Sequence, residues 1–247
     1  MRKLLAFGCS VLCLACVVQA EPIVWKGGTD SSWNTAANWA QATVPNGSGV
    51  EADLSAASGT ITVSSAITVG RIVVGGSGSL TLGGQKVTFA GTDKPEVNVG
   101  AGLTFALTTQ QGGTQGLRKT GAGTFKPTVQ GAANSFSGGL SVEGGLVELV
   151  KNGNNVHWCG AAEVLTGATL KIASSDTLGS SFVISANGGT VDFNTVIDYV
   201  GTPFTFSSEE VRSLFLAVRD SPHVRENAQY AAVMRNVRIA YLSQEDE

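Results

Sequence analysis

Short pairs of apolar residues, separated by one residue, recur along the chain at nearly constant spacing. The seven pairs are Ile61/Val63, Leu80/Leu82, Leu103/Phe105, Phe125/Pro127, Val147/Leu149, Leu170/Ile172 and Val191/Phe193. Their first members lie 19, 23, 22, 22, 23 and 21 residues apart. Alternation with a period of two is typical of a β-strand that buries one face. The constant spacing predicts an internal repeat of about 22 residues.

Glycine-rich segments precede most of these pairs and predict tight turns. Further short strands are predicted between the pairs, at 66–69, 71–74, 86–89, 140–142 and 181–184. Two or three short strands and glycine corners per repeat favour an all-β fold, a parallel β-helix or β-solenoid, over residues 55–206. The paired apolar residues are expected to point inward. The alternative is an antiparallel sandwich, whose hairpins would need Asn-Gly or Asp-Gly turns recurring at the repeat spacing, which they do not do.

The first twenty residues have the pattern of a secretory signal peptide. Arg2 and Lys3 precede an apolar run over 4–18, and the small residues before Glu21 predict cleavage there. The run is shorter than the ~20 residues that a membrane-spanning helix needs, and no transmembrane segment is predicted in the mature chain. Lipid anchoring at Cys16, in a sequence similar to a lipobox, is the alternative. The mature chain is therefore expected outside the cytoplasm, in the periplasm, at the cell surface or in the medium.

Composition narrows the possible partners. Without Arg2 and Lys3, 14 basic residues face 19 acidic ones, a net charge of about −5. This balance argues against a nucleic-acid partner, which requires a basic surface. Three of the four cysteines lie in the signal peptide, and Cys159 alone cannot form an internal disulfide. No cofactor or metal site is predicted.

Residues that could carry catalysis are sparse and scattered. A lyase or hydrolase on a β-helix would need carboxylates clustered on one face of adjacent turns. Glu148 and Asp192 come nearest to equivalent positions, with Lys171 between them, and predict an outward charge ladder. His157 and Cys159 are too close along an extended chain to face each other as a nucleophile pair. The chain is not expected to be an enzyme.

Residues 116–149 carry a more specific pattern. Gly116-Leu117-Arg118-Lys119-Thr120-Gly121-Ala122-Gly123-Thr124 is followed by Asn134-Ser135-Phe136-Ser137-Gly138-Gly139 and by Gly144-Gly145-Leu146-Val147-Glu148-Leu149. This segment resembles the autotransporter-associated β-strand repeat, also called the passenger-associated transport repeat. Pro127 departs from the family pattern, because it stands where an apolar strand residue is expected. The resemblance implies a β-helical passenger segment displayed at the outer membrane.

Three tryptophans lie close together after the signal peptide. Trp25, Trp33 and Trp39 occur in a segment, residues 21–54, that is similar to the opening of large exported proteins carrying these repeats. They are expected to form an N-terminal cap that keeps the first strand of the solenoid from pairing with other chains. A carbohydrate-stacking platform is the alternative.

The last forty residues differ from the repeat region. After Gly201 there is no glycine, and residues 207–247 contain no lysine but five arginines. Ser207 and Glu210 have the spacing of a capping box, and Leu214, Phe215 and Val218 predict one apolar helix face. A second helix is predicted from Ser221-Pro222 to Tyr241. This helical tail either covers the last coil or is a product of gene truncation.

These features together predict an exported, non-catalytic structural or adhesive surface module. Surface glycans or other envelope proteins are the expected partners, and the oligomeric state is not predicted. A carbohydrate-binding or carbohydrate-active β-helix is the alternative.

Overall fold

The computed structural model describes residues 21–76, 78–130, 135–152, 161–173, 183–192, 203–206 and 238–240. Every pairing between the strands of this part of the chain is parallel. Helix is limited there to one 3-10 turn, Ala36–Asn38. The fold is thus an all-β parallel solenoid, as predicted, and the hairpin alternative is wrong.

Twenty-one strands build the described solenoid. In chain order they are β1 (Ile23–Val24), β2 (Glu51–Asp53), β3 (Gly59–Val63), β4 (Ile67–Val69), β5 (Arg71–Val74), β6 (Ser79–Gly84), β7 (Val87–Phe89), β8 (Glu96–Val99), β9 (Thr104–Leu107), β10 (Gln111–Gly113), β11 (Leu117–Thr120), β12 (Thr124–Gln130), β13 (Ser135–Phe136), β14 (Leu140–Val142), β15 (Gly145–Asn152), β16 (Ala161–Leu165), β17 (Ala168–Ile172), β18 (Val183–Asn187), β19 (Thr190–Asp192), β20 (Pro203–Phe206) and β21 (Arg238–Ala240).

Three sheets run along the solenoid axis. The first has the order β1-β2-β5-β8-β11-β14-β16-β18-β20-β21, the second β3-β6-β9-β12-β15-β17-β19, and the third β4-β7-β10-β13. From β2 to β19, each turn of the chain adds one strand to the first sheet, one to the second and, as far as β13, one to the third. Stacking in this way pairs each strand with its neighbours ~4.8 Å above and below.

The apolar pairs point inward, with three corrections to their alignment. Each described member is buried, apart from Val191, which is partly buried against the core. Leu80 and Phe125 both pair with Phe105 rather than with Leu103. Ile61 pairs with Leu82 rather than with Leu80. The repeat spacing was therefore right, but these alignments were two residues out. A register shift of two residues keeps the same face of the strand inward, so the prediction of which residues are buried was still correct. Phe193 lies outside the described residues.

Sharp corners between the first and second sheets explain several of the glycines. Gly121 and Gly145 have positive φ angles of 75° and 63°, a conformation that L side chains rarely adopt. A Cβ atom at Gly121 would overlap the carbonyl oxygen of Val99 in the preceding turn. The glycines of the repeat therefore allow consecutive turns to stack closely.

The C-terminal prediction is corrected at one point. Arg238–Ala240 forms a strand that pairs in parallel with Pro203–Phe206, where the sequence predicted the end of a helix. Leu214, Phe215, Val218 and the predicted capping box lie outside the described residues, as does the signal peptide over residues 1–20. No helix within the described ranges is long and apolar enough to cross a membrane.

Candidate functional site

Residues 21–50, here called the tryptophan segment, stack on all three sheets of the solenoid. Strand β1 pairs with β2, extending the first sheet. Ser32 forms a parallel bridge with Thr62 of the second sheet. Gly47 donates its N–H to the carbonyl of Thr68, 2.7 Å away, in the third sheet. The segment thus forms an additional turn over the first regular one.

The three tryptophans meet inside this turn. Trp33 and Trp39 are fully buried, and Trp25 is 6% exposed. The Trp39 ring contacts the other two edge to face, with ring centroids 5.0 Å from Trp25 and 4.9 Å from Trp33. Each such contact contributes about 0.5–1.5 kcal/mol beyond the burial of area. The three tryptophans that the sequence groups thus lie in one cluster, and the cap role predicted for them stays a prediction.

Both fully buried indoles have hydrogen-bond acceptors. The Trp33 Nε1–H donates to the carbonyl of Pro45 at 3.0 Å, and the Trp39 Nε1–H donates to the carbonyl of Trp33 at 2.7 Å. A sugar-stacking platform needs a ring face open to solvent. Because these rings are buried and their donors are used internally, the observed arrangement does not favour that alternative.

The chain reverses its direction across the outer edge of β1. Trp25 and Trp39 form an antiparallel bridge, and the Ala40 N–H donates to the carbonyl of Val24 at 2.8 Å. The Gln41 side chain accepts the N–H of Val24 at 3.0 Å and donates to the carbonyl of Pro22 at 2.8 Å. Backbone groups that a further parallel strand would use are therefore already paired.

Asn38 lies at the centre of a polar network that the sequence reasoning missed. Asn38 is fully buried, and its Oδ1 accepts the backbone N–H groups of Thr29 and Asp30. Its Nδ2 donates to Asp30 Oδ1 at 2.7 Å and to the carbonyl of Ser32 at 2.9 Å. All of its hydrogen-bonding capacity is used, as burial of an amide requires.

Asp30 completes this network at the surface. Its carboxylate accepts the Ser32 N–H at 2.8 Å and the Thr35 hydroxyl at 3.0 Å. Hydrogen bonds from the Ser32 backbone and then from Asn38 lower the pKa of Asp30, because they stabilise its ionised form. The carboxylate is therefore ionised at neutral pH.

Two further asparagines attach the tryptophan segment to the turn below. Asn34 Oδ1 accepts the N–H groups of Ser64 and Ser65 at 2.8 and 3.1 Å. Asn46 Oδ1 accepts the Thr68 N–H at 2.8 Å. Asn34 and Asn38 each adjoin a tryptophan in the sequence, which is the one local signal that could have pointed to them.

The predicted charge ladder lies on the second sheet. Glu148 is the register partner of Lys171, and Lys171 is the partner of Asp192, as predicted. The ladder extends to Lys126, whose Nζ lies 3.3 Å from a Glu148 carboxylate oxygen. Such partly exposed pairs at the surface contribute little to stability.

A second ladder, on the first sheet, was not predicted. Arg71 lies between Glu51 at 3.0 Å and Glu96 at 3.3 Å. Arg118 lies 3.9 Å from Glu96 and forms a two-point contact with Glu143, at 2.9 and 3.0 Å. Its members come from different turns and are about 20–25 residues apart in sequence, hence only the register of the sheet brings them together.

No group of three or more metal-ligating side chains occurs within the described ranges. His157 and Cys159 lie outside those ranges. The prediction that the chain has no enzymatic activity remains a prediction.

One comparison with known proteins gives a match. The adhesin BmaC autotransporter of Brucella suis biovar 1 (strain 1330) is 31% identical over 179 residues. The match covers 67% of this chain but 5% of the Brucella protein, so the chain corresponds to a small part of that relative's length. No protein-family model matches the chain, and no solved structure gives a significant match. The parallel solenoid and this similarity fit an autotransporter-like repeat protein in the broad sense.

Proposed function

We propose that the mature chain is a non-catalytic, adhesive surface module of the kind found in autotransporter passengers. The observation that carries the proposal is the similarity to an autotransporter adhesin over 67% of a chain that folds as a parallel solenoid. Residues 116–149 are proposed to be an autotransporter-associated β-strand repeat, on the motif that they carry. Residues 1–20 are proposed to direct export and to be removed before Glu21.

The tryptophan segment is proposed to act as the N-terminal cap of this module. A parallel solenoid exposes unpaired N–H and C=O groups at its ends, and such edges recruit other chains. The support for the cap is the reversal at Trp25 and Trp39 together with the two hydrogen bonds of Gln41. A capped rod can present its long faces to a partner without polymerising through its end.

Surface glycans or envelope proteins are the proposed partners. The first and second sheets carry rows of alternating charge, for example Arg118 beside Glu143 and Lys126 beside Glu148. Flat, charge-balanced faces suit many weak contacts with an extended partner rather than capture of a small molecule in a pocket. Avidity from several such contacts raises the overall affinity above that of each one.

Adhesion can be tested with beads coated with the purified chain from residue 21 onward. We expect saturable attachment of the beads to cell or glycan surfaces, and the soluble chain should compete for it. Beads carrying heat-unfolded protein are the control. Absence of competition by the folded soluble chain would contradict an adhesive role. Release of new reducing ends from soluble polysaccharides would instead favour the carbohydrate-active alternative.

A further inference from the structure

Lys119 lies in an unusual position for a charged residue. On the first sheet it is paired with Val97 of the preceding turn and Val142 of the following one. Both valines are fully buried, and Lys119 is fully buried with them. Its side chain thus occupies a column of inward aliphatic residues, where an amine without partners would be strongly destabilising.

The amine does have partners, and they come from two consecutive turns. Lys119 Nζ donates to the carbonyls of Thr120 and Gly121 at 2.8 Å each and to the carbonyl of Gly144 at 2.9 Å. A protonated primary amine has three N–H donors and no acceptor. The three carbonyls therefore match its full hydrogen-bonding capacity.

The shape of the corner explains why carbonyls are free there. Val97 and Thr104 of the preceding turn are the register partners of Lys119 and Thr124. The corner from Lys119 to Thr124 spans five residues, whereas the corner from Val97 to Thr104 spans seven. The longer corner contains Leu103, which is buried at 5% exposure. No backbone N–H of the described chain donates to the carbonyl of Gly121, in this shorter corner, or to that of Gly144, in the corner of the next turn. The Lys119 amine takes the place of those missing donors.

We infer that the carbonyls of Thr120, Gly121 and Gly144 form a primary-amine binding site, which Lys119 fills from within the chain. By bonding to both turns at once, the amine fixes the stacking of the corner at residues 121–123 on that at 143–144. The site is a positioning device of the solenoid and is independent of what the surface module binds. Burial lowers the pKa of Lys119 to about 8, so the amine is mostly protonated at neutral pH and can supply all three donors.

Chemical rescue tests this site directly. Lys119→Ala removes the aliphatic stem and the amine, and propylammonium restores the missing atoms. We expect the Tm of Lys119→Ala to lie about 10 °C below that of the wild type. Propylammonium at pH 7 should then raise the variant's Tm in a saturable manner, beyond any effect on the wild type. The control is 1-propanol, which has a similar size but one donor.

The outcomes are distinct. Saturable rescue by propylammonium alone supports the site, whereas equal rescue by 1-propanol, or none, overturns it. If Lys119→Ala does not fold, nitrogen-15 NMR of the wild-type chain at pH 6.5 decides the question. We expect slowly exchanging Nζ protons on Lys119 with hydrogen-bond couplings to the carbonyl carbons of Thr120, Gly121 and Gly144. A rapidly exchanging amine without such couplings would overturn the inference.

Discussion

Trp25 and Trp39 lie on antiparallel segments, and their indole rings meet edge to face with centroids 5.0 Å apart and planes 83° apart. The named strands pair with one another only in parallel, whereas this isolated bridge, like that between Leu165 and Gly188, is antiparallel. The same two residues fill the end of the core and reverse the chain across its outer edge. In the proposed cap, stability and termination of the stack are therefore linked at this pair.

Replacing Trp39 should show whether the end of the stack differs from the rest of the core. We expect Trp39→Ala to lower the free energy of unfolding by about 3–5 kcal/mol through lost packing. Because the change also loosens the antiparallel segment, it should cause concentration-dependent association, detected by light scattering well below the Tm. Phe89→Ala, a large buried residue away from the end, is the control. Equal association of the two variants would argue against a cap.

Gln41 gives a milder test of the same edge. The Gln41 side chain bonds both Val24 and Pro22. Gln85 is exposed and hydrogen-bonds through its backbone N–H, which donates to the carbonyl of Val63, and not through its side chain. Gln41→Ala should cost about 1–2 kcal/mol in urea unfolding, and Gln85→Ala should cost less than about 0.5 kcal/mol. If the two substitutions cost the same, the Gln41 bonds do not protect the edge.

The inward and outward positions of β15 can be tested with adjacent residues. Val147 is fully buried, while Glu148 faces outward beside Lys126. Val147→Asp should lower the free energy of unfolding by several kcal/mol, because the charge would be buried without a partner. Glu148→Ala should cost under about 1 kcal/mol. Thermal unfolding of both variants is the measurement, and equal Tm values would show that the register is wrong.

Acid should weaken the ladder on the first sheet. The hydrogen bonds from Arg118 lower the pKa of Glu143, so the folded state holds this proton less tightly than the unfolded state does. The resulting stability is present above the unfolded pKa of about 4.3 and is lost as the pH falls through the folded value. We expect Glu143→Gln and Arg118→Gln each to reduce the loss of stability below about pH 4.3, by about 1 kcal/mol or less. Urea unfolding at pH 7, 4.5 and 3 measures this, and an unchanged pH dependence in both variants would contradict it.

Truncation after Phe206 tests the C-terminal end. It removes Arg238–Ala240, the strand that pairs with Pro203–Phe206. We expect the shortened protein to form oligomers or fibres, because the edge of β20 would be exposed. Size-exclusion chromatography with light scattering distinguishes the outcomes. A shortened protein that stays monomeric and equally stable would favour a tail produced by gene truncation.

Much of the fold could be predicted from local patterns. The β-strand period and the spacing of about 22 residues can be read from the order of apolar residues along the chain. The strands predicted at 71–74 and 140–142 matched the observed bounds. Register was harder, because a shift of two residues leaves the same face inward. Pairing Leu80 with Phe105 depends on the length of one corner, which the apolar pattern does not record.

Local patterns in the sequence were enough to predict a β-solenoid, to identify the residues that face its core, and to group the three tryptophans. Which side chains meet across turns became clear from the three-dimensional arrangement alone. Lys119 with Gly144, Arg118 with Glu143 and Asn34 with Ser64 are each 25 or 30 residues apart in the sequence. Hydrophobic periodicity is a property of neighbouring residues, whereas these contacts depend on how many residues each corner uses before the next turn is stacked.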